Sequence, residues 1–159
     1  ATLRHVSERV RIVQDFLERP FALENLSSYV SFHADEMPEW EFYSAVVEKA
    51  NIAMMLDVNN IYVSSRNHGF SVDQYIKNIP LERVIQIHVA GHLDKGHYVL
   101  DTHNDYVKNE VWEIYRDVWP KTGYVSTLLE WDDDFVSFEE TWKEALKAKE
   151  YQKAAIYVS

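Results

Sequence analysis

Side chains that can bind metal ions follow four apolar runs of this sequence. Each run has the length and composition of a buried strand, and each ends in carboxylate, amide or imidazole groups. A buried carboxylate without a partner is costly, so several of them around a histidine indicate a bound cation. Nitrogen and oxygen ligands together suit iron, manganese or zinc. The candidates are Glu24, Asp57, Asn59, His88, His92, Asp101, His103, Glu130 and Asp132.

The spacing within this set indicates two pairs of ligands. Residues two apart in an extended backbone face the same side, so Asp101 and His103 can grip one ion together. Asp57 and Asn59 have the same spacing. The candidates outnumber the ligands of a single ion. The set therefore indicates either more than one ion or additional residues that orient the ligands.

Alternating strands and helices are needed to position these groups. Apolar spacing predicts strands over 21–25, 52–57, 84–89 and 125–130, and helices over 2–19, 38–50, 71–77, 107–119 and from 137 onward. This alternation is typical of a parallel α/β sheet, whose strands end at one common rim. The pattern does not distinguish an open sheet from part of a (βα)8 barrel. Either arrangement would bring Glu24, Asp57, His88 and Glu130 together.

Composition excludes several other classes of protein. The chain has 159 residues, which predicts one domain over 1–159, and a net charge of -10 that argues against a general nucleic-acid binder. The absence of cysteine excludes disulfides, iron–sulfur ligation and thiolate catalysis. No glycine-rich phosphate loop is present, and no apolar run approaches the roughly 20 residues of a membrane helix. Without a visible secretory segment, the expected location is the cytoplasm.

The strings VQDFLERPFALENLSSYV, EMPEWEF, LDVNNIYVSSRNHGF, QIHVAGH, LDTH and LLEWD, in this order, resemble the MbnB-like multinuclear non-heme iron-dependent oxidative enzymes. The match covers nearly the whole chain, from about Leu3 to Ala148. It implies an incomplete (βα)8 TIM barrel of the xylose-isomerase-like kind, with two or three iron ions at the carboxyl ends of the strands.

The resemblance also implies roles for individual residues. The implied metal ligands are Glu24, Asp57, Asn59, His88, Asp101, His103 and Glu130. His92, Asn25, Asn60 and Asp132 are implied to lie behind the ligands and orient them. Family members of known activity use O2 to modify side chains, commonly cysteine, of ribosomally made peptides. They often work with a separate partner protein that recognises the leader of the precursor peptide.

One departure from the family is length, since its members are usually about twice as long. Their first half supplies further strands and further metal-ligand histidines, and nothing in this chain corresponds to them. The chain therefore matches about four C-terminal βα units, with the N-terminal half of the family fold absent. A half-barrel exposes two strand edges and an apolar inner face. We therefore expect self-association or pairing with a missing half, in a fragment, a natural truncation or a two-chain assembly.

Two other functions remain open at this point. The same ligands on the same barrel type could serve a manganese- or zinc-dependent isomerase or phosphodiesterase. A phosphodiesterase is disfavoured because the strings at the rim are nearly free of Lys and Arg, with Arg66 as the main exception. The remaining alternative is a truncated, non-catalytic domain or fragment.

Overall fold

A computed structural model describes residues 1–158 of the chain. In chain order its elements are α1 (Thr2–Leu17), β1 (Ala22–Glu24), α2 (Glu39–Ala50), β2 (Ala53–Asp57), α3 (Val58–His68), α4 (Val72–Lys77), β3 (Val84–Ala90), β4 (Leu93–Asp94), β5 (Val99–Leu100), α5 (Asn109–Val118), β6 (Ser126–Glu130) and α6 (Phe138–Val158). Short 3-10 turns at Leu81–Arg83 and Trp119–Thr122 precede β3 and β6.

Four strands form one parallel sheet in the order β1-β2-β3-β6. The strands β4 and β5 form a separate antiparallel hairpin between β3 and α5. A mixed α/β fold with a four-stranded parallel sheet is compatible with a partial α/β barrel. In the described part of the chain, no helix combines the length and the apolar character needed to cross a membrane.

The core lies between the helices and one face of this sheet. Alternate residues of β2 and β3 point toward the helices, and Met54, Leu56, Ile87 and Val89 are fully buried. The opposite face is less covered, and Leu128 on β6 remains 43% exposed. The helices thus pack against one face of the sheet, and the polar groups lie at the ends of the strands.

The residues after β2 differ from the sequence-based prediction. Asp57 was expected to continue in extended backbone toward Asn59, but the chain turns into helix α3 at Val58. The Asp57 side chain caps this helix, because its Oδ1 accepts a hydrogen bond of 2.7 Å from the Asn60 backbone N–H. The prediction that Asp57 and Asn59 share one face of an extended strand is therefore wrong.

Candidate metal centre

The carboxyl ends of the four parallel strands bring four predicted ligands to one place. These residues are Glu24 of β1, Asp57 of β2, His88 of β3 and Glu130 of β6. Each offers one ligand atom, and these four atoms all lie within 4.8 Å of one another. The convergence follows from the register of the sheet, which pairs Asp57 with His88 and places Glu130 at the end of β6.

His88 lies at the middle of this group and is almost fully buried. Its Nδ1 lies 2.6 Å from Glu24 Oε1 and 3.1 Å from Glu130 Oε1. The contact with Glu24 is short but lacks hydrogen-bond geometry, since both atoms are without a hydrogen-bond partner in the described structure. Burial disfavours the charged imidazolium, yet the hydrogen-bonding distance to Glu24 and the charge of Glu130 outweigh it and raise the pKa of His88.

Gln86 orients the His88 ring, although no sequence motif marks Gln86 as part of the site. Its Oε1 accepts a hydrogen bond of 3.0 Å from His88 Nε2, and its Nε2 donates to Ser126 Oγ at 3.3 Å. The neutral His88 ring therefore carries its proton on Nε2 and turns the Nδ1 lone pair toward the carboxylates. The available signal was the spacing of two between Gln86 and His88, which places both on one face of β3.

Asp57 supplies a buried carboxylate whose second oxygen, Oδ2, has no hydrogen-bond partner in the described structure. Burial raises the pKa of Asp57 to about 8, against the lowering effect of the Asn60 N–H. Asn25 fixes the backbone of Asp57 from both sides. Its Oδ1 accepts from the Asp57 N–H at 2.8 Å, and its Nδ2 donates to the Asp57 carbonyl oxygen at 2.9 Å. Asn60 Nδ2 donates in turn to the Asn25 carbonyl oxygen at 3.0 Å.

A second group of convergent atoms lies next to the first and shares Glu130 with it. It consists of His103, Glu130 and Asp132. His103 Nδ1 lies 3.2 Å from Glu130 Oε2 and 3.3 Å from Asp132 Oδ2, although the Asp132 side chain is 70% exposed. Two backbone hydrogen bonds hold this segment, from His103 N to Gly91 O and from Asp132 N to His103 O.

Asp101 contacts the other side of the His103 ring, with its Oδ1 2.7 Å from His103 Nε2. Burial alone would lower the pKa of His103. The short contact with Asp101 lacks hydrogen-bond geometry, since His103 Nε2 has no hydrogen-bond partner in the described structure. Its proximity and the charges of Asp101, Asp57 and Glu130 nevertheless outweigh burial and raise the pKa of His103 to about 9. Asp101 and His103 are in contact, but His103 adopts a positive φ of 47° and not the extended conformation on which the prediction rested. That the two residues bind one ion together stays a prediction.

Like Asp101, Asn59 and His92 lie outside both groups of converging atoms. Asn59 Nδ2 donates to Asp101 Oδ1 at 2.7 Å, and Asn59 Oδ1 lies 2.7 Å from His92 Nδ1. Both ends of the Asn59 amide are therefore engaged in holding neighbours. The buried His92 ring also stacks on Tyr62, with centroids 4.9 Å apart, and burial lowers its pKa. Nothing in the local sequence spacing indicated the contact between His92 and Tyr62.

The chain is similar to a described protein family and to several longer proteins. A family model described as "RiPP precursor modification enzyme MbnB/TglH/ChrH" matches residues 1–153, where RiPP denotes a ribosomally synthesised and post-translationally modified peptide. A UPF0276 protein of Anaeromyxobacter sp. (strain Fw109-5) is 49% identical over 97% of this chain and 54% of its own length. UPF0276 proteins of Acaryochloris marina and Shewanella loihica are 38% and 43% identical, over 95% and 99% of this chain and 55% and 56% of their own lengths.

The chain thus spans about half the length of the relatives it matches. The family match extends through all four strand ends and both groups of converging side chains. It confirms the resemblance drawn from the sequence motifs. This chain belongs to the MbnB/TglH/ChrH family of RiPP precursor modification enzymes.

Proposed function

We propose that this chain carries the metal centre of an iron-dependent enzyme that oxidatively modifies a side chain of a ribosomally made peptide. One observation carries the proposal: two groups of converging imidazole and carboxylate atoms share Glu130, whose two oxygens face His88 and His103. A carboxylate facing two such groups is suited to bridging two cations. The family match supports a peptide as the substrate.

The residues of the first group fit a metal ion chemically. Glu24 Oε1, Asp57 Oδ2 and His88 Nδ1 are buried and have no hydrogen-bond partner in the described structure. Buried polar atoms are normally satisfied, so three electron-pair donors facing one another require a proton or a cation between them. A mixed nitrogen and oxygen set of this kind suits iron, with manganese or zinc as the competing ions.

Each predicted residue then has a role in the proposed site. Glu24, Asp57, His88 and Glu130 would hold one ion. His103 would hold a second through one ring nitrogen, either Nδ1 with Glu130 and Asp132 or Nε2 with Asp101, because the two nitrogens point in opposite directions. Asn59, in its present orientation, holds Asp101 and would have to turn its amide to bind an ion itself. Asn25, Asn60, His92 and Asp132 would fix the ligands. Iron bound there would supply oxidation of the substrate side chain by O2.

The substrate would be a ribosomal precursor peptide, with cysteine as the favoured residue to be modified. A separate partner protein that recognises the leader of that peptide completes the proposal. Pairing with further structure is also expected, because in the described residues β1 and β6 each pair with only one neighbouring strand. Phe16 on α1 is 85% exposed and Phe138 on α6 is 77% exposed, so apolar surface lies on both flanks. Sedimentation analysis of the purified chain, with and without a candidate partner, tests this association.

Metal analysis of anaerobically purified chain tests the proposed centre. We expect more than one iron per chain and a change in the absorption spectrum when O2 is admitted. His88→Ala should reduce the iron content, because the ion would lose the imidazole ligand that lies between Glu24 and Glu130. His97→Ala is the matched control, since His97 is an exposed histidine outside both groups.

The outcomes separate the alternative functions. A single equivalent of manganese or zinc, without any response to O2, would favour an isomerase- or hydrolase-like metal site. No bound metal after reconstitution, or equal metal contents in the two histidine variants, would contradict the proposed centre and favour a non-catalytic domain.

A further inference from the structure

The loop between β1 and α2, residues 25–38, lies directly against Asp101. Ser27 Oγ donates a hydrogen bond of 2.9 Å to Asp101 Oδ2. The backbone N–H of Asp101 donates to the Tyr29 hydroxyl oxygen at 3.0 Å. Ser27 Oγ and Tyr29 Oη are themselves 3.3 Å apart. These contacts join segments that are 72 to 74 residues apart in sequence.

The directions of these hydrogen bonds follow from the number of available protons. Ser27 has one hydroxyl proton, and the Asp101 carboxylate takes it. The hydrogen bond between the two hydroxyls must therefore come from Tyr29 to Ser27. The result is a closed ring that runs from the Asp101 N–H to Tyr29, then to Ser27 and back to the Asp101 carboxylate. This ring fixes the carboxylate relative to its own backbone.

The adjacent Ser28 makes a different set of contacts. Its N–H donates to Ser64 Oγ at 3.0 Å, and its hydroxyl lies 2.9 Å from His68 Nε2. Asn67 Nδ2 donates to the Ser28 carbonyl oxygen at 3.3 Å. Ser28 therefore anchors the loop to α3, whereas the residues on either side of it engage Asp101.

We propose that Ser27 and Tyr29 are positioning residues that orient the Asp101 carboxylate for metal binding. The inference rests on the proposed metal centre. Ser27 uses one lone pair of Asp101 Oδ2 and Asn59 uses one on Oδ1, and His103 Nε2 lies 2.7 Å from the same Oδ1. The remaining lone pairs are thereby directed, because the carboxylate plane is held from both sides. Removing such an outer partner of a metal ligand typically costs about 10- to 100-fold in metal affinity.

Fe²⁺ binding under anaerobic conditions, measured by equilibrium dialysis, tests the proposal. We expect Ser27→Ala and Tyr29→Phe each to weaken Fe²⁺ binding by roughly tenfold. Ser27→Thr should restore the affinity because it keeps the hydroxyl. Ser28→Ala is the matched control and should bind Fe²⁺ like the unaltered chain. Combining Ser27→Ala with Asp101→Ala should give no loss beyond that of Asp101→Ala alone, because Ser27 acts through Asp101.

Several results would overturn the proposal. These are unchanged affinity in Ser27→Ala, an equal loss in Ser28→Ala, or a full additional loss in the Asp101→Ala background. If the unaltered chain binds no Fe²⁺, the proposed metal centre itself fails, whereas normal binding by Asp101→Ala would overturn only the role given to Asp101. Amide hydrogen exchange then tests the ring of hydrogen bonds by itself. Tyr29→Phe removes the acceptor of the Asp101 N–H and should speed exchange of this amide by about fivefold. An unchanged exchange rate would contradict the ring.

Discussion

Replacing Gly91 by alanine should damage the candidate metal centre without touching any ligand. Gly91 follows β3 and lies directly against the backbone of Asp105. A Cβ atom at this position would lie 2.0 Å from the Asp105 carbonyl oxygen and 2.5 Å from its carbonyl carbon, whereas ordinary contacts begin at 3.4 Å. The two backbone segments must therefore separate by more than 1 Å, because neither contacting atom belongs to a flexible side chain.

The expected cost to stability is moderate, but the expected cost to the site is large. Forcing extra volume into a packed position typically costs about 1–3 kcal/mol of unfolding free energy. The Gly91 carbonyl oxygen also accepts the His103 N–H at 3.1 Å, so the separation moves the segment that carries Asp101 and His103. Metal–ligand distances in proteins stay within about 0.2 Å of their standard values, so a shift of this size misplaces a ligand. We therefore expect at least a tenfold loss of Fe²⁺ affinity.

Gly96→Ala is the matched control for this experiment. Gly96 has a φ of +82° but no atom within 4 Å of an added Cβ, so alanine there is strained in its backbone and not crowded. The left-handed conformation should cost about 1–2 kcal/mol. Gly96 lies in the turn between β4 and β5, away from the ligands, so the variant should bind metal normally.

Urea unfolding and anaerobic Fe²⁺ dialysis on both variants separate stability from site geometry. The two variants should be destabilised to a similar degree, and only Gly91→Ala should lose metal affinity. Normal Fe²⁺ binding by a folded Gly91→Ala variant would refute the reasoning. The crossing of Gly91 and Asp105 would then not control where His103 lies.

Three further predictions concern buried polar groups, each measured by urea unfolding. Asn25→Asp should be destabilised by about 2 kcal/mol and should be less stable than Asn25→Ala, because a carboxylate would face the Asp57 carbonyl oxygen; the reverse order would contradict this. Glu144→Leu should lose about 1–3 kcal/mol because the buried Val107 N–H loses its acceptor, whereas Glu144→Gln should lose less. In metal-free chain, stability should fall by several kcal/mol as the pH rises, over roughly pH 4 to 8 for Asp57 and 6.5 to 9 for His103. In these pH ranges the folded chain holds protons that the unfolded chain has released. A free energy of unfolding that rises with pH would therefore contradict the raised pKa values of Asp57 and His103.

The convergence of the four strand ends could be predicted from sequence. Glu24, Asp57, His88 and Glu130 each follow an apolar run, and parallel strands end at one edge of a sheet. Only the spacing of hydrophobic residues and this geometric rule were needed. Neither depends on side-chain packing in detail.

Helix α3 could not be predicted in the same way. Its sequence VNNIYVSSRNH contains β-branched residues, Asn and Ser, which have low helix propensity. The helix forms because tertiary packing buries Val58, Ile61 and Val63 completely, while Asp57 caps its first turn. Local sequence therefore suggested extended backbone where long-range burial selects a helix. The misplaced Asn59 follows directly from that difference.

The orientation of His88 explains why this site requires a positive charge at its centre. Ser126 fixes the amide of Gln86, and Gln86 fixes the proton of His88 on Nε2. The Nδ1 lone pair must then face Glu24 and Glu130, which offer only further lone pairs when ionised. A second proton on His88 relieves this repulsion, which agrees with its raised pKa, and so would a metal ion. A proton and a metal ion therefore compete for one position at His88 Nδ1. Gln86 and Ser126 create this position because they hold the other ring nitrogen as the proton donor.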